Sequence, residues 1–467
     1  MHEELMNGSV SIEDGAVVVN DETALATPAI DSVVRAAVFG GQDARDNARW
    51  AIWEIGQQVG VVPSSIHDLY LARGRGEAGG FTVPAINVRG MAYDTARAIF
   101  RTAIKLDAGA FICEIARSEI AYTEQRPSEY VAVLMAAALR EGWRGPLFIQ
   151  GDHFQVNAKK FAVDPVTEVD AVKQLAGEAI AAGFYNIDVD TSTLVDLSRQ
   201  GLEEQQRANF EQAVEIALFV RAQQPDGIVI SLGGEIGEVG TENSTEEELH
   251  AFMTGFNRSL ASRGAGVDGL SKISVQSGTT HGGVVLANGS IADAQIDFGT
   301  LQRLSEVARE SYGLAGAVQH GASTLLDSAF NNFPRTETAE IHLATNFQTM
   351  LYDRIPRELR TEIYEWLKKN AKEERKPSDS EEQFFYKTRK KALGPFKRRF
   401  WDLSVQAKKE IAAAYDEKFT FLFSQLGVGG TAKTVARHVK IVRQHRPQPH
   451  EGMAVVAHAP DDADLSD

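Results

Sequence analysis

The chain has 467 residues, enough for one large α/β barrel with additions or for two or three ordinary domains. Its hydrophobic fraction of 43% and charged fraction of 24% match a globular enzyme, and a net charge of −16 argues against general nucleic-acid or anionic-membrane binding. The one cysteine, Cys113, excludes an internal disulfide and lies in the apolar run Phe111-Ile112-Cys113, consistent with a reducing cytoplasm.

The start, Met1-His2-Glu3-Glu4, is acidic and carries no apolar segment, so no signal peptide is expected. No run approaches the roughly 18 apolar residues of a membrane span. A cytoplasmic protein is therefore expected. Residues 1–40 lack clear periodicity and read as a flexible arm. Trp50, Ile52, Trp53 and Ile55 mark a helix over 42–59. A second helix over 61–72 is entered through Pro63-Ser64-Ser65 and striped by Ile66, Leu69 and Tyr70. Glycines at 74, 76, 79 and 80 then interrupt the chain.

From there short apolar runs alternate with amphipathic stretches. The runs are 82–87, 110–115, 146–151, 185–190, 228–233, 272–277, 314–320 and 339–343, and the intervening helices include 92–106, 128–141, 168–182 and 204–223. Alternation alone also fits a doubly wound open sheet. Eight units with polar residues gathered at the strand ends favour a (β/α)8 TIM barrel over 41–353, where catalytic groups stand where strands finish. Those ends carry Asn87, Glu114, Asp152 and His153, Asp188 and Asp190, Glu235, Ser277 and His281, His320, and His342. A helical extension follows over 354–446, and an Ala-, Pro- and Asp-rich tail over 447–467 reads as disordered. Within the extension, residues 387–400 hold seven basic residues and no acid.

Taken singly, each histidine reads as a core imidazole satisfied by backbone. His153, His281 and His320, delivered by three strand ends, together offer the three imidazoles of a catalytic zinc with an open fourth position. Asp152 reads either as a helix cap or as a general base beside that metal. Adjacent strand residues point to opposite sides, so only a turn at the strand end lets Asp152 and His153 share one site. The loop Leu232-Gly233-Gly234-Glu235-Ile236-Gly237-Glu238-Val239-Gly240-Thr241-Glu242 matches no phosphate fingerprint, and its carboxylates read as metal-shell and acid/base groups. His320-Gly321-Ala322-Ser323-Thr324 offers amides and hydroxyls after the seventh strand, a usual place for a phosphate. The basic stretch reads as a solvated face or as a contribution to a second phosphate.

In order along the chain, Pro84-Ala85-Ile86-Asn87-Val88, Gly151-Asp152-His153, the segment 187–192, Glu235-Ile236-Gly237-x-Val239-Gly240, Gly278-Thr279-Thr280-His281-Gly282 and His320-Gly321-Ala322-Ser323 resemble the class II (metal-dependent) fructose-bisphosphate aldolase family, as a divergent member. The resemblance implies Zn2+ on His153, His281 and His320. It implies Asp152 as acid/base at the substrate hydroxyl, and Glu235 and Asp190 at a second metal or monovalent-cation position. Asn87 would contact substrate, while Gly282, Gly321, Ser323 and Thr345 would hold a phosphate. Glu242 falls near the family's proton-donating acid. A sugar phosphate is the implied ligand, and a homodimer or larger homo-oligomer the implied assembly.

The chain departs from the pattern in places. His-Gly-Ala-Ser stands for His-Gly-Gly-Ser. Glu340-Ile341-His342-Leu343-Ala344-Thr345 stands for Lys-x-Asn-x-Asp-Thr, which puts His342 at the enediolate oxygen in place of Asn. Arg117, in Glu114-Ile115-Ala116-Arg117-Ser118, also departs and points to a different substrate anion. These changes lie on the substrate side, so the metal chemistry is better supported than the sugar. Two rivals follow: an aldolase for a sulfonated or non-phosphorylated ketose, and a stabilising subunit like the tagatose-bisphosphate aldolase large subunit.

Overall fold

The computed structural model describes residues 3–6, 8–13, 15–237, 242–264, 266–278, 286 and 296–449. Its centre is a closed ring of eight parallel strands: β1 (Val83–Asn87), β2 (Ile112–Ala116), β3 (Gly145–Gln155), β4 (Asn186–Asp190), β5 (Ser231–Glu235), β6 (Lys272–Val275), β7 (Ala317–Gln319) and β8 (Glu340–Leu343). Neighbours in the ring are neighbours in sequence. β8 pairs back to β1 through Glu340 opposite Val83, which closes the barrel. All eight expected runs are strands, and the fold is a (β/α)8 barrel.

Strand chemistry shows why the barrel closes around a polar centre. In β8, Ile341 and Leu343 alternate with Glu340 and His342; in β4, Ile187 and Val189 alternate with Asn186, Asp188 and Asp190. The period of two sends one set outward to the helices and the other into the barrel. The helices carry ordinary end signals. Asp164 caps Pro165–Ala182 by accepting from Thr167 N at 3.1 Å, and Thr245 forms a capping box with Glu248 at the start of Glu246–Arg263.

Two expectations near the start of the chain need correction. The segment 61–72 is not one helix: Val61–Ser64 is a ninth strand, paired in parallel with the first half of β3, and the helix begins at His67. Val61 and Val62 are β-branched and Pro63 presents no N–H, so the segment suits a strand at the sheet's open edge. The following helix, His67–Gly74, plugs the bottom of the barrel, where Arg73 donates to the carbonyls of Phe81 and Thr338. Nor is the stretch before residue 41 a free arm. Glu3–Leu5, Val10–Glu13 and Ala16–Val19 form an antiparallel sheet, and Ala29–Phe39 is a helix that buries Ile30, Val33, Val34 and Ala37. Its apolar residues have a partner surface that no local pattern reveals.

After β8 the chain adds helices Thr345–Arg354, Arg357–Asn370, Glu381–Thr388, Lys397–Trp401, Val405–Gln425 and Ala432–His438. Helix Glu381–Thr388 is capped by Ser380. The expected helix to 446 stops at His438, and residues 439–449 run extended along Gln42–Val59. There Trp50 Nε1 donates to the Arg446 carbonyl at 2.9 Å and Trp53 Nε1 to the Gln444 carbonyl at 2.5 Å. The tail from residue 450 lies outside the described residues.

Candidate metal and proton-transfer site

The site forms at the carboxyl ends of the strands, and β3 decides its shape. Between Gly151 and Phe154 the pairing of β3 with β4 slips register, and His153 takes a left-handed conformation with φ of 40°. This bulge lets Asp152 and His153 face one site although they are adjacent. Gly151 makes room for it: a Cβ there would stand 2.5 Å from the buried Phe154 ring.

Around this bulge the strand ends converge. Asp152 Oδ1 lies 3.8 Å from His153 Nε2, 3.6 Å from His320 Nε2 and 3.1 Å from His342 Nδ1, and none of these makes it a hydrogen bond of good angle. His153 Nδ1 is 2.9 Å from Asp190 Oδ2 and 3.5 Å from Glu235 Oε2. The His320 ring centroid lies 4.3 Å from that of His153 and 4.1 Å from that of His342, tilted to both. The nitrogen and oxygen atoms of Asp152, His153 and His320, and those of His153, Asp190 and Glu235, lie close enough to hold a metal ion. Imidazoles and carboxylates crowded about one point suit a divalent cation. His281 and Gly282, expected to complete the set, lie outside the described residues.

Burial pushes the Asp152 carboxyl up, but the charges of His153 and His342 outweigh it and hold the group well below the usual carboxylate range. Its neighbour Glu114 goes the other way: burial raises it to about 8, only partly opposed by His342.

Several expected residues have other neighbours. His342 is enclosed by carboxylates: Nδ1 lies 3.0 Å from Glu114 and Nε2 2.8 Å from Glu340, as ion-pair contacts without hydrogen-bond angles. Burial opposes charge on that ring, yet Glu114 and Asp152 raise it well above an ordinary imidazole. Asn87 donates to Glu119 at 2.5 Å and accepts from Arg89 at 3.1 Å. Arg117, read as a substrate-anion contact, instead donates to the Gln155 carbonyl at 2.6 Å and to Glu168 at 2.7 Å. Glu242 is solvent-exposed, and no described hydrogen bond or ion pair joins it to the site. After His320, Gly321 turns the chain at φ of 70°, Ser323 Oγ accepts from Ala344 N at 2.6 Å, and Thr345 opens the helix that follows β8.

Four of the seven basic residues of this stretch are held in ion pairs, three within the extension and one to the barrel. Lys387 pairs with Asp379 at 2.6 Å, Arg399 with Glu362 at 2.8 Å, Lys397 with Glu129 at 2.7 Å, and Lys391 with Glu374.

The fold and these strand ends agree with what similarity shows. A family model described as fructose-bisphosphate aldolase class-II matches residues 74–422. The chain belongs to that family. Among solved structures, the fructuronate-tagaturonate epimerase UxaE from Cohnella laeviribosi aligns at TM-score 0.55 and 12% identity, over 82% of this chain and 86% of that one. A probable tagatose 6 phosphate kinase from Sinorhizobium meliloti 1021 aligns at TM-score 0.51 and 16% identity, over 78% and 95%. At such identities the likeness is one of fold alone. A search of curated proteins finds no matching relative. Among the described residues no helix is long and apolar enough to cross a membrane.

Sequence reading missed Tyr70, Gln150, Lys272 and Glu340, which line the barrel interior below the site. The signal was present as alternation. Strands covered by helices outside would be apolar throughout if the interior were apolar, yet Glu340-Ile341-His342-Leu343 and Lys272-Ile273-Ser274-Val275 alternate.

Proposed function

We propose that this class II aldolase family member is a zinc-dependent aldolase, cleaving a ketose bisphosphate such as fructose 1,6-bisphosphate reversibly to dihydroxyacetone phosphate and an aldehyde. The observation that carries this is the buried Asp152 carboxyl set beside His153 and His320 by the β3 bulge. His153 and His320, with His281, would hold the cation, and Asp190 and Glu235 would orient His153 or hold a second ion. A divalent cation there supplies Lewis acidity, polarising the substrate carbonyl and the neighbouring hydroxyl.

The chain's own groups do the rest. Asp152 Oδ1 accepts the proton of the hydroxyl whose loss breaks the C3–C4 bond. A loop acid, Glu242, returns a proton to the carbanion. Gly321, Ser323 and the helix start at Thr345 receive a phosphate. The altered eighth strand, with Ala344 where the family has Asp, favours as a second reading an aldolase for a ketose carrying a different anion.

Metal analysis together with a cleavage screen of fructose, tagatose and sedoheptulose bisphosphates tests this. Stoichiometric zinc and release of dihydroxyacetone phosphate from one of them are expected. Zinc without cleavage of any ketose phosphate would sink the catalytic reading in favour of a stabilising subunit. Asp152→Ala should keep zinc and lose rate on the order of 10²- to 10⁴-fold.

A further inference from the structure

Branched apolar side chains dominate the interior of most barrels of this kind. Here it holds a line of charged groups. Lys272, fully buried on β6, has its Nζ 2.8 Å from Asp188 Oδ1, 2.6 Å from Glu340 Oε1 and 2.8 Å from Gln150 Oε1, so each ammonium proton has an acceptor. Glu340 Oε2 accepts the hydroxyl of Tyr70, from the helix that plugs the bottom. Glu340 Oε1 is also 2.8 Å from His342 Nε2, and across that ring Nδ1 is 3.1 Å from Asp152 Oδ1. The line Tyr70–Glu340–His342–Asp152 therefore runs from the barrel floor to the site, its two steps at His342 being ion-pair contacts at 2.8 and 3.1 Å; Glu340 and His342 also cluster closely with Asp188, as His342 does with Glu114 and Asp152.

An imidazole faced by carboxylates on both nitrogens cannot turn without abandoning one of them. Taking paired charges out of water is costly, and packed apolar residues would hold the barrel at least as well. What packing would not do is fix the direction of one carboxylate oxygen. We propose that Glu340 is a positioning residue, aiming Asp152 Oδ1 through His342, with Lys272 holding Glu340 in register. This rests on the reading of Asp152 as the proton acceptor.

The test compares Glu340→Gln, the charge-balanced pair Glu340→Gln with Lys272→Met, and Asp152→Ala, each loaded with zinc and assayed on fructose 1,6-bisphosphate. The double variant removes one charge of each sign, which keeps the experiment decisive if the single variant folds poorly. Misaiming a catalytic group costs up to about 10²-fold. The expected result is a kcat lowered roughly 10- to 10²-fold in both Glu340 variants, with KM and zinc content held. A crystal structure of the double variant should show the His342 Nδ1 to Asp152 Oδ1 contact lengthened. Wild-type kcat in the double variant, when Asp152→Ala is inactive, overturns the positioning role and leaves the reading of Asp152 standing. A loss in the single variant that the double variant restores overturns it too, since charge balance alone would then be at stake. Wild-type kcat in Asp152→Ala overturns both.

Discussion

Two glycines show how single residues shape this site. Gly151 leaves space for the Phe154 ring beneath the bulge that turns Asp152 and His153 to one side. Gly151→Ala is expected to cost about 1–3 kcal/mol by overpacking, and to lower zinc content along with activity; full zinc occupancy in the variant would count against the bulge as the organising device. Gly233 stands in register between Asp188 and Lys272, and a Cβ there would be 2.3 Å from Asp188 Oδ1 and 2.9 Å from Lys272 Cε. Its missing side chain is what lets the two charges meet.

His67 gives a pH prediction at the same scale. Burial, then the nearby Arg221 charge, lowers it below the ordinary imidazole range. The unfolded chain therefore binds its proton more readily, so the stability is full above about pH 6.5 and is lost as pH falls through that value. Urea midpoints at pH 7.5 and 5.5 should fall more for the wild type than for His67→Gln. Equal falls would remove His67 from the account.

Among the elements, helix Glu246–Arg263 lies outside the catalytic rim and depends on its capping box. Thr245 Oγ1 accepts from Glu248 N at 3.2 Å, and the Glu248 carboxylate accepts from Thr245 N at 2.8 Å. Thr245→Ala should cost about 1 kcal/mol, as loss of an N-cap usually does, and leave kcat unchanged. A change in kcat of the folded variant would mean that this helix reaches the chemistry through the glycine-rich loop before it.

For the whole molecule, the extended segment 439–449 joins the end of the chain to its start. Arg446 N donates to Glu54 at 2.7 Å, Gln444 N donates to Gln57 Oε1 at 2.9 Å, and the Arg446 guanidinium lies 3.3 Å over the Trp53 ring. Arg446 also donates to the Ala181 carbonyl, and Gln444 to that of Asp226, just ahead of β4 and β5. The strap thus crosses the bottom of the barrel, away from the site. Truncation after residue 439 should forfeit several hydrogen bonds worth about 1 kcal/mol each. The expected outcome is a lower Tm and red-shifted tryptophan emission with kcat held. An unchanged Tm would show that the strap contributes nothing to stability.

The barrel and the identity of its strand-end residues could be read from sequence, because alternating runs and polar strand ends are local patterns whose periods follow from backbone geometry. Asp152, His153, His320, Asp190 and Glu235 could be singled out for the same reason: each closes an apolar run. What only the tertiary structure decided was which groups meet. The β3 register slip, the Lys272–Glu340 pair (68 positions apart), the engagement of Arg117 by Glu168 (51) and the strap on Trp50 (396) join residues distant in sequence. Side-chain direction at a bulge and pairing across a closed barrel depend on the packing of the whole ring, which no local period encodes.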